Sequence, residues 1–238
     1  MNPKKHIPNV ITLLNLFSGC IAIVYASEEN FEMSFFFVFL GIFFDFFDGF
    51  FARLFDNSSP LGLQLDSLAD MVTSGLVPGF VMFKMLTNSV NSDPSFIYFP
   101  YLGFIITLGS CYRLANFNID TRQIDSFIGL PTPANAIFIL SLPLILKNTD
   151  SLILLELLTN NWVLLFVTLI SAYVLNAEIP LFSLKIKKFN LKDNVLQIVF
   201  LLISLLLLIV FKFSGVALII VFYVMLSVIV NLIKRKNA

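Results

Sequence analysis

The chain has 238 residues, of which 58% are hydrophobic and 28 are phenylalanine, while 15 basic and 15 acidic side chains cancel to zero net charge. A mean hydropathy of +0.92 excludes an ordinary water-soluble domain and makes membrane lipids, not nucleic acid, the expected partner. A hydrocarbon core about 30 Å thick takes roughly 20 residues of helix to cross, and backbone groups in lipid must bond internally, so the fold class expected is all-α and polytopic.

The first predicted span covers residues 7–26 and opens with "IPNVITLLNLFSG". Pro8 stands where a helix would begin. Asn9, Thr12 and Asn15 fall within an arc of roughly 120°, where they serve equally well as caps or as hydrogen bonds between helices. His6, beside Lys5 at the interface, receives no catalytic role, and no cleavable signal peptide is expected. The second span, residues 31–53, carries Asp45, Asp48, Gly49, Ala52 and Arg53 among phenylalanines; the third, residues 62–86, carries Gly62, Asp66 and Asp70.

At 100° per residue, Asp48 falls about −60°, Gly49 about +40° and Ala52 about −20° from Asp45. Around Asp66, Gly62 falls at about −40°, Asp70 at about +40° and Thr73 at about −20°. Each helix therefore collects its acids and small residues on one face. Four facing carboxylates without a basic partner repel and are costly to desolvate, so they either shift pKa or recruit cations. Their hard oxygens suit divalent ions, and two such ions a few ångströms apart clamp a diphosphate. Glycines and Ala52 suit close approach of a ligand, or equally tight helix packing.

A fourth span covers residues 96–117 and ends in "SCYRLANFN", with Arg113, Asn116 and Asn118, followed after a loop by "FIGLPTPANA". Arg113 suits a carboxylate or a phosphate, or positive-inside anchoring. Pro131 and Pro133 restrict entry to a fifth span, residues 132–147. Residues 151–158 are too short to cross and form an interfacial piece. Residues 162–177, 195–211 and 216–233 complete a count of eight. Cys20 and Cys111 read as small buried hydrophobes without metal-site spacing. With the N-terminus in the cytoplasm, that side collects twelve of the 15 basic residues: Lys4, Lys5, Arg53, Arg113, Arg122, Lys185, Lys187, Lys188, Lys192, Lys234, Arg235 and Lys236. Both termini and the acids then face the cytoplasm, with the basic loop "KIKKFNLK" against anionic headgroups.

The spacing Asp45-x2-Asp48-Gly49-x2-Ala52-Arg53-x8-Gly62-x3-Asp66-x3-Asp70 resembles the signature of the CDP-alcohol phosphatidyltransferase family at every specified position. The resemblance implies that family's helical membrane fold and the transfer of a phosphatidyl group from a CDP-linked lipid to an alcohol, with release of CMP and use of Mg²⁺ or Mn²⁺, two ions being expected. It makes Asp45, Asp48, Asp66 and Asp70 the metal acids, Asp70 also the general base, and Gly49, Ala52, Arg53 and Gly62 the CDP-binding positions. The N-terminal segment is similar to that of the phosphatidylserine synthase branch, where it lies beside the nucleotide; this adds Asn9 and Thr12. The "SCYRLANFN" and "FIGLPTPANA" stretches resemble the same branch and make Arg113, Asn116 and Asn118 acceptor-binding, although Asn116 stands where the branch usually has a second Arg. CDP-diacylglycerol and L-serine are then the expected substrates, in a homodimer at the cytoplasmic membrane. Residues 1–136 form the expected catalytic half and residues 137–238 complete the same domain. A sister transferase using glycerol 3-phosphate or inositol phosphate stays open, as does a cation transporter, which would place its acids near the bilayer midplane.

Overall fold

The structure is a computed structural model that describes residues 6–56, 59–90, 97–120, 122, 127–182 and 194–236. The regular structure among them is helical, apart from one isolated antiparallel bridge between Ile128 and Pro180. Helices α1 (Ile7–Ser27) and α2 (Phe31–Leu54) form a tight antiparallel pair. The side of α1 that is buried carries Pro8, Thr12, Asn15, Ser18, Gly19, Ala22 and Ala26, a stripe of small and polar residues at helical spacing. Small side chains let membrane helices approach closely and pack without a hydrophobic driving force. On α2 the phenylalanines Phe36, Phe39, Phe43, Phe46 and Phe50 recur every three or four residues and are exposed, as lipid-facing positions of a membrane helix are.

Helix α3 (Pro60–Asp70) starts at Ser59, whose hydroxyl accepts from the Gly62 N–H at 3.0 Å, with Pro60 in the first turn. It runs into a π-helical turn, Met71–Leu76, and then α4 (Val77–Ser89). The cause of the widening is local. Pro78 has no N–H to give the Ser74 carbonyl and its ring crowds that carbonyl, and the Val77 N–H bonds Val72 O, five residues back. A 3₁₀ turn, Phe99–Phe104, leads into α5 (Ile105–Phe117). Then come α6 (Thr132–Asn148), α7 (Leu152–Thr159), α8 (Asn161–Asn176) and α9 (Val195–Lys236).

Helix α9 is broken at Lys212, whose φ of 49° and ψ of −119° are not helical. Phe200 stacks on Phe222 with ring centroids 5.9 Å apart, a contact impossible along one straight helix, where 22 residues would separate them by about 33 Å. The segment is therefore a helical hairpin. A core of Val38, Met82, Leu86, Ile106, Ile139 and Leu164, among others, joins α1, α2, α4, α5, α6 and α8. A smaller one of Leu130, Leu181, Phe200 and Tyr223 seats the hairpin.

The all-helical expectation holds, the count of spans is met only in part, and one expectation changes. By length and composition four helices suffice to cross a membrane, Ile7–Ser27, Phe31–Leu54, Pro60–Ser89 and Val195–Ile233, with a fifth if α7 and α8, bent by 72°, count as one span. Helices α5, α6 and α8, of 13, 17 and 16 residues, are shorter than the roughly 20 residues typical of a span. Cys20 and Cys111 are exposed rather than buried, because each falls on an outward face of its helix. The "KIKKFNLK" loop lies outside the described residues.

Candidate active site

The acids are brought together by α1, α2 and α3. Carboxylate oxygens of Asp45, Asp48 and Asp66 lie within 4.8 Å of one another, and among the described residues no ion pair engages them. Two unit charges about 4 Å apart repel by about 4 kcal/mol at an effective dielectric of 20, so this trio is shaped for a cation. Three oxygen ligands on two rigid helices fit a hard divalent ion such as Mg²⁺ or Mn²⁺.

Asp70, the fourth acid, follows on the same helix as Asp66. One turn beyond Asp66, it is buried, and its Oδ1 accepts from Asn15 Nδ2 at 3.1 Å. Asp48 is held from the same helix: Thr12 Oγ1 donates to its Oδ2 at 2.5 Å. Helix α1 thus grips one acid of α2 and one of α3 with side chains three residues apart.

Beside the trio opens a cleft of about 180 Å³, lined by Pro8, Asn9, Thr12, Asp48, Gly49, Ala52, Ser59, Gly62, Leu63 and Asp66. Five of the six positions expected to hold CDP, Asn9, Thr12, Gly49, Ala52 and Gly62, line it together. Nothing lies within 4 Å of where a Cβ on Gly49 would stand, so that glycine leaves space open to the cleft. At Gly62 an added Cβ would meet Ser59 Oγ at 3.1 Å and Asn9 Oδ1 at 3.4 Å. Arg53, the sixth, is exposed, and its Nε donates to the Gly49 carbonyl at 3.0 Å.

The three residues expected to receive the acceptor part company. Asn118 is joined to the acid helix, since its Nδ2 donates to Ser67 Oγ at 2.9 Å, one residue from Asp66. Arg113 is only 6% exposed, and its donors turn to main-chain carbonyls: Nε to Leu130 O at 2.5 Å and Nη2 to Gly129 O at 3.2 Å. The fork expected to face a substrate is thus engaged by the turn ahead of α6. Gly129 has a φ of +74°, and an added Cβ would stand 2.5 Å from the Leu175 carbonyl, so the turn fits only glycine. Asn116 is exposed, and its carbonyl closes the end of α5 by accepting from Ile119 and Asp120.

Around Arg113 the α5–α6 and α8–α9 connections are stitched together. Leu181 N–H bonds Phe127 O at 2.8 Å, and Gly129 N–H bonds Ile179 O at 2.9 Å. Arg122 pairs with Asp120 at 3.0 Å and with Glu178 at 3.4 Å; these carboxylates raise its already high pKa and keep it charged. At the other end of the bundle, Lys84 pairs with Glu29 and Lys147 with Glu32. Two of the basic residues left off the cytoplasmic side by the sequence pattern thus tie helices together.

Sequence reasoning placed Asn15 on the polar arc of α1 but gave it no partner, and it gave no role to Ser59 or Ser67. Ser59 was legible as a cap before Pro60. The partners of Asn15 and Ser67 lie 55 and 51 residues away and leave no local signal.

A cluster of acids on α2 and α3, buttressed by α1 beside a cleft lined by small residues, defines a class. The profile of the CDP-alcohol phosphatidyltransferase family matches residues 5–174, and the chain belongs to that family. It is 33% identical over 204 residues to a CDP-diacylglycerol–serine O-phosphatidyltransferase of Helicobacter pylori, covering 84% of this chain and 82% of that protein. To the protein of the same name from Bacillus subtilis it is 34% identical over 133 residues, 54% of this chain and 70% of the relative. An archaetidylserine synthase of Methanothermobacter thermautotrophicus is 29% identical over 149 residues, 59% of this chain and 61% of the relative.

Proposed function

We propose that this protein transfers a phosphatidyl group from CDP-diacylglycerol to the hydroxyl of L-serine, giving phosphatidylserine and CMP. The observation that carries the reading is the trio of Asp45, Asp48 and Asp66 at the mouth of a cleft lined by the signature's small residues. The names of its relatives supply the acceptor. Asp45, Asp48 and Asp66, with Asp70 as the fourth acid, would hold Mg²⁺ or Mn²⁺, two ions in this reading. Such ions, when bound, neutralise diphosphate charge and favour departure of CMP.

The protein's own side chains do the rest. Asn9, Thr12, Gly49, Ala52 and Gly62 receive the CDP moiety, and Arg53, on a flexible stem at the rim, turns from the Gly49 carbonyl to the diphosphate. The serine oxygen forms its bond to the phosphorus carrying diacylglycerol while the bond from that phosphorus to the CMP oxygen breaks. The hydroxyl proton passes to Asp70. Asn118 presents its amide beside the acid helix to the acceptor, Asn116 stands at the same helix end, and Arg113 shapes the acceptor side by holding the Gly129 turn. Counting residues 99–117, α6, α8 and both arms of the α9 hairpin as crossings restores eight spans, in which residues 1–136 carry the chemistry and residues 137–238 complete the bundle. The basic residues orient site and termini toward the cytoplasm, and the protein works as a homodimer in the cell membrane.

Purified protein given CDP-diacylglycerol with Mg²⁺ or Mn²⁺ is offered serine, glycerol 3-phosphate and inositol phosphate in parallel. Release of CMP with serine alone is expected. Release with either phosphorylated acceptor and not with serine overturns the acceptor assignment.

A further inference from the structure

We propose that Asn15 is a positioning residue for Asp70: its amide N–H fixes one carboxylate oxygen and leaves the other for the acceptor's proton. The proposal rests on the reading of Asp70 as the base.

Asn15 is fully buried and donates from Nδ2 to Asp70 Oδ1 at 3.1 Å, joining α1 to α3. Its own backbone carbonyl accepts from Thr73 Oγ1 at 3.1 Å, in the π-helical turn that begins at the residue after Asp70. The amide lies in a slot left by a missing side chain. A Cβ on Gly41 would stand 2.8 Å from Asn15 Oδ1 and 2.6 Å from Thr73 Cγ2. An ionised carboxylate only accepts, so the amide must face it with its nitrogen.

The other end of the same amide completes the case. Asn15 Oδ1 is buried with no hydrogen-bond partner among the described residues. A buried acceptor left unsatisfied costs stability, and leucine would fill a similar volume without that cost. The contribution of Asn15 therefore lies at its donor end, on Asp70. Thr12 lines the cleft whereas Asn15 does not, and the side-chain partner of Asn15 is Asp70.

The test is a double-mutant cycle on the full chain in detergent or nanodiscs, with kcat and the KM for CDP-diacylglycerol measured for wild type, Asn15→Leu, Asp70→Asn and the double variant. Asn15→Ser repeats the cycle and carries it should the leucine variant not fold. Asn15→Leu is expected to lower kcat roughly 10- to 100-fold, the scale on which a displaced catalytic group loses rate. The donor KM should stay within about twofold, as should the effect of the same change in the Asp70→Asn background, the limit expected where the shared partner is already lost. An equal loss in both backgrounds, a raised donor KM, or wild-type turnover in both Asn15 variants overturns the proposal while leaving the base reading intact. Near-normal turnover of Asp70→Asn alone overturns the base reading, and the proposal with it.

Discussion

At the scale of single residues, the site separates side chains that act on a ligand from side chains that hold other groups still. Arg113 is the sharpest case, because a sequence match to a substrate-binding motif points one way and its hydrogen bonds another. With Nε and Nη2 on the Leu130 and Gly129 carbonyls, removal of the guanidinium leaves two main-chain acceptors without their partner. Each buried unsatisfied group costs about 1–3 kcal/mol. Arg113→Ala should therefore lower the unfolding temperature of the purified protein, and Arg113→Lys should rescue little, since an ammonium cannot reproduce the planar fork. An unchanged unfolding temperature with a raised KM for serine would return the guanidinium to the acceptor, as the motif suggests. Asp48 and Asp70 were readable as candidate acids from their spacing alone. Their partners Thr12 and Asn15 were not, because which of several polar residues on α1 meets which carboxylate is decided by the crossing of three helices.

At the scale of elements, α1, α2 and the π-helical turn meet where side chains are missing. Gly41 faces Asn15 and Thr73, whereas Gly49, two turns further along the same helix, faces the open cleft. The two glycines should therefore respond oppositely to alanine. Gly41→Ala drives a methyl into packed atoms and should destabilise by about 1–3 kcal/mol, the usual cost of overpacking. Gly49→Ala gains helix propensity of about 1 kcal/mol and should fold at least as stably, but its methyl enters the cleft and should raise the KM for CDP-diacylglycerol. Thermal unfolding and donor titration on the two variants check this, and equal behaviour of both would show that the signature glycine serves packing. The π-helical turn was not foreseen. The sequence places Pro78 inside an apolar run, and only the path of α3 into α4 shows the proline absorbed by a wider turn instead of a break.

At the scale of the whole molecule, an apolar bundle brings Asp45, Asp48 and Asp66 together beside one cleft, and among the described residues no ion pair neutralises them. In the proposed reading divalent ions complete that balance, so EDTA should abolish transfer and Mg²⁺ or Mn²⁺ should restore it; full activity in metal-free buffer would remove the metal role of Asp45, Asp48 and Asp66. Composition and hydropathy by themselves determined an all-helical chain for a membrane, because lipid permits few other ways to satisfy a backbone. Helical periodicity determined that Asp45 and Asp48 share a face, as do Asp66 and Asp70, because that geometry is local to each helix. The break of α9 at Lys212 was legible as the gap between the spans expected over residues 195–211 and 216–233, whereas the engagement of Arg113 and the hydrogen bond from Asn15 to Asp70 were decided only by tertiary structure. Both depend on contacts between residues distant in sequence, which leave no periodic trace in the chain.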